Sequence, residues 1–184
     1  MTKPDRTHIR DIWSPAEDSW DISANPAPDS DQPLDLATFL PYRLSILNIA
    51  VSKALSELYA DRFHLTRHEW RILAALGNHQ PLSGTELGRI TSMEKMTVSR
   101  AVNRLRQAGL VSAHTNSADR RQKTLHLTDQ GTAVYNQIIP LAREREAAIL
   151  SALSKKEYQT LNHLMEKIFR QATRLQQQDD QDPA

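Results

Sequence analysis

The 184 residues predict a mostly α-helical fold carrying one small β-hairpin, on three observations. Apolar side chains recur at three- and four-residue spacing over most of the chain beyond residue 33, as a buried helix face requires. Beyond residue 33, Ser or Thr followed three residues later by Glu occurs at four places, the pattern in which a side chain and the backbone satisfy each other's free donors at a helix start. Two short strand-like runs flank a basic turn near residue 120. Aromatics make up 5% of the chain and glycine only five residues, so there is little material for a large sheet.

Residues 1–33 hold Pro4, Pro15, Pro26, Pro28 and Pro33, which exclude a long helix or strand and predict a flexible acidic arm. Trp13 and Trp20 stand out there. They either dock on the body or a partner, or belong to a loosely associated tail.

Over 34–60 the apolar residues Phe39, Leu40, Leu44, Ile46, Leu47, Ala50, Val51, Ala54, Leu55 and Leu58 predict a long helix sticky on more than one face, with Pro41 tolerable near its start. The four Ser/Thr–Glu pairs, Thr66/Glu69, Ser83/Glu86, Thr91/Glu94 and Ser154/Glu157, predict four further helix starts. Leu65 with Trp70 and Leu153 with Tyr158 fit the hydrophobic staple that accompanies such caps. Gly77 and Gly109 are placed at helix C-termini, where a left-handed residue is favoured.

Past Gly109, the runs Leu110–Asn116 and Gln122–Leu127 predict two strands joined by Ser117-Ala118-Asp119-Arg120-Arg121. Thr128 then caps a helix to about Leu150, which Pro140 should kink. A last helix from Ser154 to about Gln176 aligns Tyr158, Leu161, Met165, Ile168, Ala172 and Leu175 in a coiled-coil-like seam.

Two short capped helices followed by a hairpin are the parts of a winged helix-turn-helix, here assigned to residues 61–131. The long helix at 34–60 and the C-terminal helices at 132–176 are read as dimerisation helices, and 177–184 as an acidic tail. Charge follows the same division. Residues 1–33 carry three basic and seven acidic side chains and residues 176–184 three aspartates, so the body between them holds 20 basic against 12 acidic groups and calls for an anionic partner.

The helix placed after Thr91 gathers Val98, Ala101, Val102 and Leu105 on one side, which leaves Met93, Met96, Thr97, Arg100, Asn103 and Arg104 on the other. Such a helix presents its polar front to the major groove of duplex DNA. Arg100 suits guanine, Asn103 adenine, and Thr97 or the methionines thymine methyl groups. Lys95 and Ser99, at the flanks, suit phosphates. At the hairpin, Arg120 and Arg121 with Lys123 form the second contact, with an arginine suited to a narrow minor groove and Asp119 orienting it.

The wing Asp119-x-Arg121 with Leu127-Thr128-x-x-Gly131, and the run Thr97-Val98-Ser99-Arg100 leading to Leu105 and Gly109-Leu110-Val111, resemble the MarR (multiple-antibiotic-resistance regulator) family of bacterial transcription factors over roughly Leu36 to Leu175. The resemblance implies an obligate homodimer on a palindromic double-stranded operator, with Arg121 in the minor groove and Thr97, Ser99 and Arg100 at reading positions. It also implies a small-molecule effector, here an aromatic acid or its CoA thioester, in a cleft of Phe39, Tyr42, Arg43 and Ile46 with His64, His68, Trp70 and Arg71. A ligand-responsive repressor is the resulting expectation. The bland alternative for Phe39, Ile46 and Trp70 is plain core.

Rival readings fit less of the chain. An enzyme lacks its parts: His68-Glu69 opens like a zinc-protease helix but Ile72 stands where the second histidine belongs, and there is neither a G-x-S-x-G elbow nor a Gly-rich phosphate loop. No cofactor or metal is expected. With no cysteine, no apolar leader behind the N-terminus and no run near the roughly 18 apolar residues of a membrane span, a cytoplasmic protein is the default reading. A helical protein-interaction adaptor without DNA specificity would use the Tyr158–Leu175 seam but has no use for the basic hairpin.

Overall fold

The computed structural model describes residue 34 and residues 36–37, 39–115 and 123–181. The arm with Trp13 and Trp20 and the hairpin tip with Asp119, Arg120 and Arg121 lie outside the described residues. Within them run α1 (Leu40–Phe63), α2 (Arg67–His79), β1 (Leu82–Ser83), α3 (Gly84–Thr91), α4 (Lys95–Gln107), β2 (Val111–Thr115), β3 (Lys123–Leu127), α5 (Asp129–Leu150) and α6 (Lys155–Gln181). The chain divides into two compact units, residues 1–57 and 58–184. No described helix is long and apolar enough to cross a membrane.

In the first unit α1 begins at Leu40, six residues later than the apolar pattern alone predicts, with Pro41 in its first turn, where a missing N–H has no intrahelical acceptor to lose. Leu40, Leu44, Leu47 and Ile49 are exposed.

The second unit opens with the end of α1. His64 adopts the left-handed conformation (φ 52°), its N–H donating to Ala60 O and that of Leu65 to Tyr59 O. The core below is Ile72, Leu73 and Leu76 of α2, Leu87 of α3, Val98, Ala101, Val102 and Leu105 of α4, Leu125 of β3 and Ile138 of α5, all buried.

Three of the four expected capping pairs are present. Thr66 Oγ1 accepts the Glu69 N–H at 3.3 Å while Glu69 Oε2 accepts the Thr66 N–H at 2.7 Å. Ser83/Glu86 and Ser154/Glu157 repeat the arrangement. Thr91/Glu94 does not. Thr91 is still inside α3 and its hydroxyl donates back to Leu87 O at 2.6 Å, so it cannot cap the next helix. Gly77 also departs from expectation: α2 continues through it to His79 and caps at Gln80. A Cβ at Gly77 would lie 2.5 Å from the Tyr135 ring, so close packing of α2 on α5 accounts for that glycine.

Gly109 does end its helix, at φ 71°. The N–H groups of Gly109 and Leu110 return to Arg106 O and Leu105 O, the paired bonds of a left-handed helix terminus. The sheet has three antiparallel strands in the order β1-β3-β2, one more than the sequence predicts. The added strand, Leu82–Ser83, pairs with Leu125 and Thr124 and is too short to show alternation in sequence. Across β2 and β3, Val111 faces Leu127, Ala113 faces Leu125 and His114 faces Thr124.

Thr128 fixes α5 to this sheet. Its hydroxyl donates to Gly109 O at 2.7 Å and accepts the Gly131 N–H at 3.0 Å, and its own N–H donates to Leu110 O. At Gly131 an added Cβ would stand 2.0 Å from Leu110 O, so no larger residue fits without moving backbone. Helix α5 runs unbroken through Pro140. Helix α6 extends five residues past the predicted end and exposes Tyr158, Leu161, Met165, Ile168 and Leu175 of the expected seam, together with Leu164 and Phe169.

Candidate nucleic-acid interface

The turn between α3 and α4 sets the direction of the second helix. Ser92 takes a left-handed conformation (φ 52°, ψ 42°) as the cap of α3, and Met93 N–H donates to Gly88 O. Gly88 keeps the turn close, since a Cβ there would meet Met93 O at 3.1 Å. Glu94 is the N-cap of α4 but makes no side-chain cap bond, and no acid occupies the first helical turn, whose first residue is Lys95. The helix dipole and Lys95 favour an anion at this start, and the exposed Glu94 carboxylate at the cap opposes them.

The expected two faces of α4 are both found. Val98, Ala101, Val102 and Leu105 are buried, while Met96, Ser99, Arg100 and Asn103 are exposed. Met93 and Thr97 are half-buried, so the outward front is narrower than the sequence projection implies. One flank of α4, carrying Lys95, Ser99 and Asn103, lines a groove of about 1030 Å³ between α3, α4 and the sheet. Lys123 lines the same groove from β3, and Arg89 and Arg106 add two cations beyond the predicted site residues. Their signal was available: both are basic residues in the last turns of the two helices, where a basic side chain also complements the helix dipole and so attracts no special notice.

On the other flank Arg104 has a partner within the protein. Its Nε lies 3.5 Å from Glu69 Oε1, and Glu69 is buried although Arg104 is largely exposed. Arg104, one of the predicted DNA-contact residues, thereby ties α4 to the capped start of α2. Arg120, Arg121 and Asp119, the predicted wing contacts, fall outside the described residues.

The residues predicted for an effector cleft do not share one surface within the second unit. Trp70 and Arg71 line a shallow groove of about 450 Å³ with Ala74, Asn78, His79 and Ile90. His64 lines a different one, of about 590 Å³, beside Glu69 and Arg104, and His68 is exposed in the first turn of α2. Phe39, Tyr42, Arg43 and Ile46 belong to the first unit. Sequence reasoning missed what Trp70 does touch: its ring stacks between Tyr59 at 5.8 Å and Tyr135 at 6.4 Å, and Tyr135 Oη donates to Asn78 Oδ1. Burial pushes the Tyr59 phenol above its ordinary value, with Arg67 and Arg71 pulling the other way.

Residues 64–122, which hold the helix pair and the first strand of the wing, match the model of the MarR family. The chain belongs to the MarR family of transcriptional regulators. Among MarR-family relatives it is 31% identical over 105 residues to the transcriptional repressor NicR of Pseudomonas putida, a match covering 57% of this chain and 66% of NicR. It is 29% identical over 128 residues to the transcriptional regulator PecS of Dickeya dadantii, covering 68% of this chain and 76% of PecS. In fold it resembles the solved structure of Bordetella bronchiseptica BpsR, described for regulation of DNA binding by 6-hydroxynicotinic acid, with a TM-score of 0.67 at 21% identity, covering 74% of this chain and 97% of BpsR.

Proposed function

We propose that this MarR-family protein is a sequence-specific, double-stranded-DNA-binding repressor that acts as a homodimer on a palindromic operator and is released by a small aromatic acid or its CoA thioester. The observation that carries the reading is the solvent-facing front of α4, where Met96, Ser99, Arg100 and Asn103 stand out from a buried apolar side and where Ser99 and Asn103, with Lys95, line one groove with Lys123 of the wing. In this reading Arg100 and Asn103 meet base edges, with Thr97 and Met96 near thymine methyls, while Lys95, Ser99, Lys123 and the hairpin residues Arg120 and Arg121 hold the backbone. Asp119 orients the wing arginine.

Dimerisation is supported by the uncovered apolar seam of α6 and the exposed leucines of α1, which in a lone chain leave a large apolar area in water. In this reading residues 34–60 and 132–176 serve pairing and residues 61–131 serve DNA binding. The repressor named among the relatives and the aromatic acid named for BpsR support the regulatory half of the reading. An effector releases the operator only by binding the DNA-incompetent arrangement more tightly, because equal affinity for both shifts nothing. Trp70 and Arg71, an aromatic wall with a guanidinium beside it, supply the chemistry for a carboxylate of that class.

Fluorescence anisotropy on a library-selected operator tests the DNA claim. A dimer neutralising about six to eight phosphates gives a log–log salt slope of about −5 to −7. A slope near zero, as an adaptor without DNA affinity would give, overturns it.

A further inference from the structure

We propose that the wing carries a two-histidine site for a borderline divalent transition ion such as Zn(II), Ni(II) or Cu(II), formed by His114 of β2 and His126 of β3. The imidazole centres are 5.0 Å apart with planes at 89°. Ring nitrogens bind such ions at about 2.0–2.1 Å, so two imidazoles on one ion at right-angled to tetrahedral geometry have centres roughly 4.5–5.3 Å apart. The observed spacing falls within that range, and the broad χ2 torsion of histidine leaves each ring free to turn its nitrogens.

Strand register explains why the two rings meet. Ser112 is directly opposite His126, and His114 is two residues further along the same strand, so all three lie on one face of the hairpin while Val111, Leu125 and Leu127 occupy the other. Ser112 Oγ sits 3.3 Å from His114 Nε2, and a hydroxyl there is placed to orient an imidazole or a bound water. His114 is exposed and His126 half-exposed, so an ion has access and the remaining coordination positions are open to water. No cluster of three or more such ligands forms among the described residues, which makes this an exchangeable site rather than a structural one. Imidazole donors select against Mg(II) and Ca(II), which prefer oxygen. A bound ion would stitch β2 to β3 and add two positive charges to the hairpin. None of this depends on the proposed operator or effector.

Isothermal titration calorimetry of the full chain, without an affinity tag, tests it with Zn(II), Ni(II) and Mg(II) in turn. The expected result is one Zn(II) or Ni(II) per chain and no response to Mg(II), with binding lost in His114→Ala/His126→Ala and weakened in Ser112→Ala. The same ions should shift the ring-proton NMR signals of His114 and His126. Unchanged binding in the double variant, with its thermal midpoint intact, would assign the ion to the other histidines and overturn the proposal, as would no binding in the parent protein.

Discussion

Arg104 of α4 is joined to Glu69, the charged side chain buried at the start of α2, with Nε 3.5 Å from Oε1. Glu69 also accepts the Thr66 N–H at 2.7 Å, so one carboxylate closes a helix cap and holds the neighbouring helix. Replacing Glu69 with Ala should cost about 2–3 kcal/mol, because the cap and the ion pair go together. Arg104→Ala should cost about 1 kcal/mol or less, since the guanidinium is largely in water. Urea denaturation of the two variants measures both, and equal losses would contradict the dual role of Glu69.

Arg100 is exposed at the middle of the α4 front. Arg100→Ala should weaken operator binding by about 1–3 kcal/mol and relax preference at one base pair per half-site. Anisotropy against single-base operator variants reads both effects. Uniform weakening across all sequences would make Arg100 a phosphate contact.

Gly131 packs against the Leu110 carbonyl so tightly that an alanine would overlap backbone. Gly131→Ala should cost about 2–4 kcal/mol and loosen the attachment of the hairpin to α5, measurable as a lower thermal midpoint. Thr128→Ala should cost about 1 kcal/mol, through loss of the cap to Gly131 and the bond to Gly109.

His64 occupies a left-handed position at the end of α1 that favours glycine. His64→Gly should therefore stabilise the protein by about 1 kcal/mol or leave it unchanged. A clear loss would show that the imidazole makes a contribution beyond its backbone.

Glu86 and Glu157 are both held below the ordinary carboxylate range by hydrogen bonds, chiefly from the backbone N–H of Ser83 in the first and from the Ser154 side chain in the second. Their native values are lower than in the unfolded chain, so the stability they contribute is fully present above the ordinary carboxylate range and disappears as pH falls through the lowered native values. Glu86→Gln with Glu157→Gln should flatten that acid limb in denaturation curves taken from neutral to strongly acidic pH.

Much of this arrangement can be read from the chain because it is set locally. The buried side of α4 follows from 3.6-residue periodicity, and three caps follow from residues only three apart. What sequence reading misses is set by distant neighbours or competing local bonds. Thr91 fails as a cap because α3 keeps it in the helix, where its hydroxyl returns to Leu87. Gly77 lies mid-helix because Tyr135, 58 residues later, needs the space. The stack of Tyr59, Trp70 and Tyr135 draws on three helices, and nothing in the spacing of those residues marks it. For the DNA front, residue types mark the candidates, whereas the groove that unites Lys95 and Asn103 with Lys123 exists only once the strand is placed.

Trp70 is wedged between two phenol rings, and the other indoles of the chain are Trp13 and Trp20 in the acidic arm. Converting those two to phenylalanine leaves one emitter in the body of the protein, seated where the end of α1, the start of α2 and α5 come together. Its emission then becomes a native optical gauge of that joint, able to follow a conformational change in solution without an attached dye.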